Sequence, residues 1–180
     1  TRALLEPGVH AGGTALRSYV TAEDANKLHG LVRFPSTTVL QEYFVPLDRI
    51  DAALGDVYPL LTSAGHGGIN LLNVTFRYVR ATAPTSCLLN YAPVDSVAIV
   101  LYINIYNTED GLSGLRTWTD AMLYVISRHG GRFYLPYLLT YDPRLVKRMY
   151  GSRVWREFEA AKRAFDPEGR FSNQMLEHMR

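Results

Sequence analysis

The residues that could do chemistry are polar side chains set into apolar, strand-forming stretches. Arg77 lies in INLLNVTFRYV with Asn73 and Thr75 at every second position, so the three share one face of a strand. Gln41 and Tyr43 alternate in the same way along TTVLQEYFV, Asn104 interrupts SVAIVLYINIY, and Arg132, Tyr134 and Tyr137 follow a Gly130-Gly131 pair. Together they offer hydrogen bonds, one mid-strand cation and phenolic hydroxyls. That set suits holding a polar ligand and balancing a negative charge. Each position also reads as a plain exposed strand residue. Arg77 resists that reading most, because a guanidinium that is even partly buried requires partners.

Other chemistries find no foothold. The chain has no G-x-G-x-x-G, no G-x-S-x-G and no H-E-x-x-H. Gly65-His66-Gly67-Gly68 lacks the lysine of a phosphate loop and reads as a helix-to-strand turn. His10, His29, His66, His129 and His178 stand apart, so no metal site is expected. Cys87 is the one cysteine and closes no internal disulfide.

The elements that must position these residues follow from periodicity. Strands are expected over Thr37–Val45, Ile69–Val79, Ser96–Tyr106 and Arg132–Tyr134, with a short further strand at Cys87–Asn90. Helical spacing runs over Asp48–Thr62 and Leu112–Arg128. Thr21-Ala22-Glu23-Asp24 opens an earlier helix to about Leu31, after an irregular stretch from Thr1 to Gly13. From Thr37 to Tyr134 the order is therefore β-α-β-β-α-β. It predicts an α+β, ferredoxin-like antiparallel sheet with helices on one face, and the polar strand residues are expected on the other face. Residues 1–36 form a lead-in and residues 37–137 the sheet domain. Residues 138–180 form a basic helical tail, with helices over Asp142–Met149, Ser152–Phe165 and from Ser172 or Asn173 onward. The tail is amphipathic with no evident partner, so it should dock on something.

Composition sets outer limits. At 180 residues and 47% hydrophobic, the chain can bury a core and is neither disordered nor a fibrous repeat. Nineteen Lys and Arg against seventeen Asp and Glu leave +2, which gives no electrostatic reason for nucleic-acid binding. No run approaches the roughly 18 apolar residues of a membrane span. The chain starts at Thr1 without an initiator Met or a signal-peptide pattern, so a piece of something longer is expected.

LQEYFVP (Leu40–Pro46), LLNVTFRYV, SVAIVLYINIY, GGRFYLPY (Gly131–Tyr137) and FDPEGRFSNQML (Phe165–Leu176) resemble the substrate, or cap, domain of FAD-linked oxidases. The superfamily is that of vanillyl-alcohol oxidase. Its nearest branches are the aldonolactone and alditol oxidases and the decaprenylphosphoryl-ribose oxidases. The resemblance covers about residue 35 to the C-terminus, and the D-P-x-x-x-F-x-N phrase of the tail is its most specific part.

This resemblance implies FAD as cofactor, held mostly by an N-terminal FAD-binding domain on which the tail would dock. It implies a small alcohol or sugar-type substrate whose CH–OH group is oxidised by hydride transfer to the flavin. Arg77 matches a family arginine near the flavin and is implied as both catalytic and cofactor-binding. Thr75 stands where alditol oxidases carry an acid, and Tyr137 where they carry a lysine. Tyr134 and Tyr137 are implied as catalytic and Asn173 as cofactor-binding, and Gln41 or Tyr43 matches a strand position that faces the substrate; with the polar strand face read above, Gln41, Tyr43, Asn73, Thr75 and Asn104 are the expected substrate-binding residues. The location implied is cytoplasmic or peripheral to a membrane, and the fragment alone would be inactive. The alternative is a ferredoxin-like binding or regulatory module without chemistry.

Overall fold

The computed structural model describes residues 36–63, 69–83 and 87–180. The expected helix near Thr21 and the Gly65–Gly68 turn lie outside them. Thr37–Arg180 forms one compact unit.

Its sheet has four strands: β1 (Ser36–Pro46), β2 (Ile69–Val79), β3 (Ser96–Tyr106) and β4 (Arg132–Phe133), in the spatial order β2-β3-β1-β4. The antiparallel order with two crossing helices is ferredoxin-like, as the element order predicts. Helix α1 (Ile50–Thr62) follows a 3-10 turn at Leu47–Arg49, and α2 (Glu109–Arg128) starts at Thr108, whose Oγ1 accepts from Gly111 N at 3.0 Å. That cap extends α2 three residues before the expected Leu112.

One sheet face packs on α1 and α2. Its core joins Val39, Tyr43 and Val45 of β1 and Ile99, Leu101, Ile103 and Ile105 of β3 to Leu115, Met122, Leu123 and Ile126 of α2. Trp118 Nε1 donates to Leu60 O at 3.0 Å and ties the two helices together. The opposite face carries a smaller apolar cluster of Phe44, Ala92, Ala98 and Val100, flanked by Leu40, Tyr102 and Tyr134.

A β-bulge decides which polar residues reach that second face. Leu71 pairs with Ile103 but Asn73 pairs with Tyr102, so Leu72 is the extra residue. Before the bulge the odd residues Ile69 and Leu71 face the helices; after it Asn73, Thr75 and Arg77 face away. Without the bulge, strict alternation would turn Arg77 into the core.

The turn into β4 requires glycine. Gly130 has φ +70°, and a Cβ on Gly131 would lie 2.7 Å from Phe44 O. The close approach lets Tyr43 pair with Phe133 and Phe44 with Arg132.

The expected strand at Cys87–Asn90 does not form. Asn90 instead organises a loop: its Oδ1 accepts from Thr82 Oγ1 at 2.8 Å and from Ala92 N at 2.9 Å. A side chain that satisfies the backbone in this way competes with ladder pairing.

The tail contains α3 (Pro143–Tyr150), α4 (Ser152–Phe165) and α5 (Gln174–His178). Its inner side does find a partner within the unit, because Val146, Tyr150, Trp155 and Met179 are buried in the main core. Phe165 and Phe171 remain 91% and 75% exposed at either end of the turn after α4.

Candidate functional site

The sheet face turned away from the helices brings three elements to one carboxylate. Glu42 alternates with Leu40 and Phe44 on β1 and is only 4% exposed. Arg77 lies on β2, with β3 between it and β1. Directly opposite Arg77 on β3 is Ala98, whose methyl leaves room for the long side chain to cross. Its guanidinium donates to Glu42 Oε1. The Arg77 side chain stays 56% accessible, whereas that of Glu42 is 5% accessible. The pair is therefore a buried acid under a cation that still faces solvent.

The third element follows β4. Tyr134 N donates to Glu42 O at 3.0 Å, which extends the β1–β4 ladder and swings the next residues over β1. Tyr137 Oη then donates to Glu42 Oε2 at 3.4 Å. Burial, followed by the Glu42 charge, raises the Tyr137 phenol above its ordinary value, so it stays protonated at neutral pH.

Aromatic rings wall the site. Tyr137 meets Tyr134 edge-on at 5.0 Å, Tyr134 meets Tyr91 at 5.4 Å, and Tyr91 lies 4.5 Å from Phe44. The loop that brings Tyr91 here is pinned by Arg132, which donates to Asn90 O and sits 5.0 Å over the Tyr150 ring. Burial lowers the Arg132 guanidinium from its ordinary value. Tyr150 Oη in turn donates to Phe133 O at 2.7 Å, so tail, β4 and loop form one support.

Thus Arg77, Tyr134 and Tyr137 converge, and Asn73, Thr75 and Asn104 share their face by register. Gln41 and Tyr43 do not join them. Both are fully buried toward the helices, where Tyr43 Oη donates to Gln41 Oε1 at 2.6 Å and Gln41 Nε2 donates to Thr119 Oγ1 at 2.8 Å. The expectation that these two line the uncovered face is corrected: the β1 register gives that face to Glu42, the residue between them. Asn173 is the N-cap of α5, with Oδ1 accepting from Leu176 N at 2.9 Å. Glu42 is the residue that sequence reasoning missed. Its signal was an acid flanked at i±2 by apolar Leu40 and Phe44.

Arg77 keeps donors beyond its bond to Glu42 and Asn173 has an exposed amide, each chemically suited to a polar edge of a flavin, whereas the pyrophosphate does not suit the first three helices. Their first turns carry Asp51 in α1 and Glu109 and Asp110 in α2, and Asp142 caps α3. Acids there oppose an anion where bare N–H groups would be needed. Among the described residues no group of three or more His, Cys, Asp or Glu could hold a metal ion, and no helix is long and apolar enough to cross a membrane.

Fold and site together define a ferredoxin-like α+β domain whose charged, aromatic-walled face carries no helix among the described residues. The chain belongs to the D-arabinono-1,4-lactone oxidase family, which matches residues 23–179, and the match is consistent with the C-terminal portion of an FAD-linked aldonolactone oxidase. Members are oxidoreductases and typically flavin-dependent. No curated protein matches the chain. Among solved structures it is similar to a C-terminal segment of the alpha subunit of aIF2 from Pyrococcus abyssi. That likeness has 16% identity and a TM-score of 0.32 over 73% of this chain and 69% of the other, and carries no argument.

Proposed function

We propose that the chain forms the substrate side of an FAD-dependent oxidoreductase that oxidises a CH–OH group of an aldonolactone or related sugar-type alcohol. The observation that carries this reading is the Glu42–Arg77 pair on the sheet face turned away from α1 and α2, in a chain from this oxidase family. When bound, the flavin supplies the hydride acceptor. The chain's own residues bind, orient and stabilise. Arg77, fixed by Glu42 but still accessible, holds the negative charge that develops on the substrate oxygen, a charge-assisted contact that strengthens as the hydroxyl proton leaves. Tyr137 acts as a neutral hydroxyl group, and Tyr134 walls the reacting end. Asn73 and Thr75 offer polar contacts farther along the face, beside the buried Asn104.

Asn173 has one amide oxygen committed to its cap, which leaves its N–H donors for the cofactor. The nucleotide end of FAD is held by a flavin-binding domain outside the residues described. The tail meets that domain through Phe165 and Phe171, whose exposure is otherwise costly for large apolar rings. In the full-length protein, Arg77→Ala should slow flavin reduction by about two orders of magnitude or more, in line with loss of one stabilising donor. Unchanged reduction would refute the assignment.

A further inference from the structure

We infer that Glu42 is the proton sink of this site, acting on the substrate through Tyr137. The inference rests on the oxidoreductase reading above and assigns a route for the proton that the substrate hydroxyl must lose.

The geometry excludes direct contact as the simple solution. The Glu42 carboxylate is 5% accessible and lies beneath Arg77, while Tyr137 Oη touches its second oxygen. A substrate on the open face meets Arg77 and Tyr137 before it meets Glu42. Thr75, where related strands carry an acid, is a hydroxyl too weakly basic to take up a proton at neutral pH. The high phenol of Tyr137 makes it a poor final base, since burial and the Glu42 charge both hold its proton on. As a relay, however, a protonated tyrosine hydrogen-bonded to a carboxylate is well suited. Its 3.4 Å contact is of the loose kind that tightens when a substrate closes the site.

The substrate O–H bond breaks and its proton joins Tyr137 Oη, while the Tyr137 proton passes to Glu42 Oε2. Two O–H bonds break and two form. The electron pair stays on the substrate oxygen, beside Arg77, and Glu42 becomes a neutral acid. Arg77 is thereby released from an ion pair at the moment when a new anion needs it. Among the described residues, the other titratable or charged groups on this face are Tyr102 and Tyr106 on β3, Arg132 on β4, Tyr91 on the loop and Tyr134 after β4. Among the described residues only Arg77 and Tyr137 hydrogen-bond to the Glu42 carboxylate oxygens.

The test uses Glu42→Gln, which keeps the shape and an oxygen for Arg77, together with Tyr137→Phe and the double variant. The first measurement is flavin reduction by an aldonolactone in the full-length enzyme. Each single variant should slow it about a hundredfold, and the double should be no slower than the singles, because both remove the same relay. The second measurement needs no turnover: NMR titration of ring-labelled tyrosine, with the Tyr137 signal assigned by its loss in Tyr137→Phe. With the Glu42 charge removed, Tyr137 should titrate at lower pH than in the wild type. Wild-type reduction rates in Glu42→Gln, multiplicative losses in the double variant, or an unmoved Tyr137 titration would each overturn the relay. A wild-type flavin that no aldonolactone or alditol reduces would overturn the underlying reading as well, while a Tyr137 shift would still show the coupling.

Discussion

Gln41→Leu isolates what the helix-facing side of β1 contributes. The substitution removes the oxygen to which Tyr43 Oη donates and leaves that hydroxyl in a fully buried site. An orphaned buried polar group costs about 1–3 kcal/mol. Thr119 loses only an accepted bond, since its own hydroxyl still donates to Leu115 O at 2.7 Å. A leucine of similar volume offsets part of the loss through apolar burial, so the net cost is about 1–2 kcal/mol. For a domain of this size that lowers Tm by about 2–8 °C. Tyr43→Phe should cost a similar amount, because it orphans Gln41 Oε1. The double variant replaces both partners with apolar groups and should come back close to the parent. Thermal unfolding followed by circular dichroism measures all three, with the KM of the full-length enzyme as control. Additive losses, or a KM that moves in step with Gln41→Leu, would refute the placement of these residues in the core and return them to the substrate face.

Two further perturbations address the tail. Lys162, followed by Phe171 N and Arg170 N, donates to Asp166 and holds its carboxyl below the usual range. A depressed folded-state value means that the contribution is present above the unfolded-state value and is lost as pH falls through the folded one. Asp166→Asn should therefore lower Tm near neutral pH and converge with the parent in acid; a gap that persists in acid contradicts this. Asn173→Ala removes the α5 cap and should cost about 1 kcal/mol, and in the full-length protein it should also weaken FAD retention. Loss of stability with unchanged FAD affinity would leave Asn173 a cap alone.

How much of this was legible in the sequence differs element by element. β2, β3 and α4 match their expected ranges because long β-branched or amphipathic runs left little choice. The faces of β1 were not legible. Val39, Gln41, Tyr43 and Val45 mix polar and apolar as fully as Leu40, Glu42 and Phe44, so alternation alone names two faces without saying which is inside. Pairing with Phe133 and packing on Thr119 settle it. On β2, the shared face of Asn73, Thr75 and Arg77 could be read from spacing, but the bulge at Leu72 that turns it outward has no marker such as glycine. The Glu42–Arg77 pair spans 35 residues and a whole intervening strand, and depends on the small Ala98 beneath it. No local pattern encodes such a contact. The amphipathic tail was visible, whereas the burial of its Val146, Tyr150 and Trp155 emerges only once α3 is seen against β4 and α2.

The most direct test of the central claim is anaerobic addition of an aldonolactone, D-arabinono-1,4-lactone first, to the full-length protein while its visible flavin absorbance is followed. The expected result is bound flavin that bleaches on addition of the substrate, and bleaching that is strongly slowed by Arg77→Ala. A full-length protein without flavin, or with flavin that these substrates leave oxidised, would contradict it.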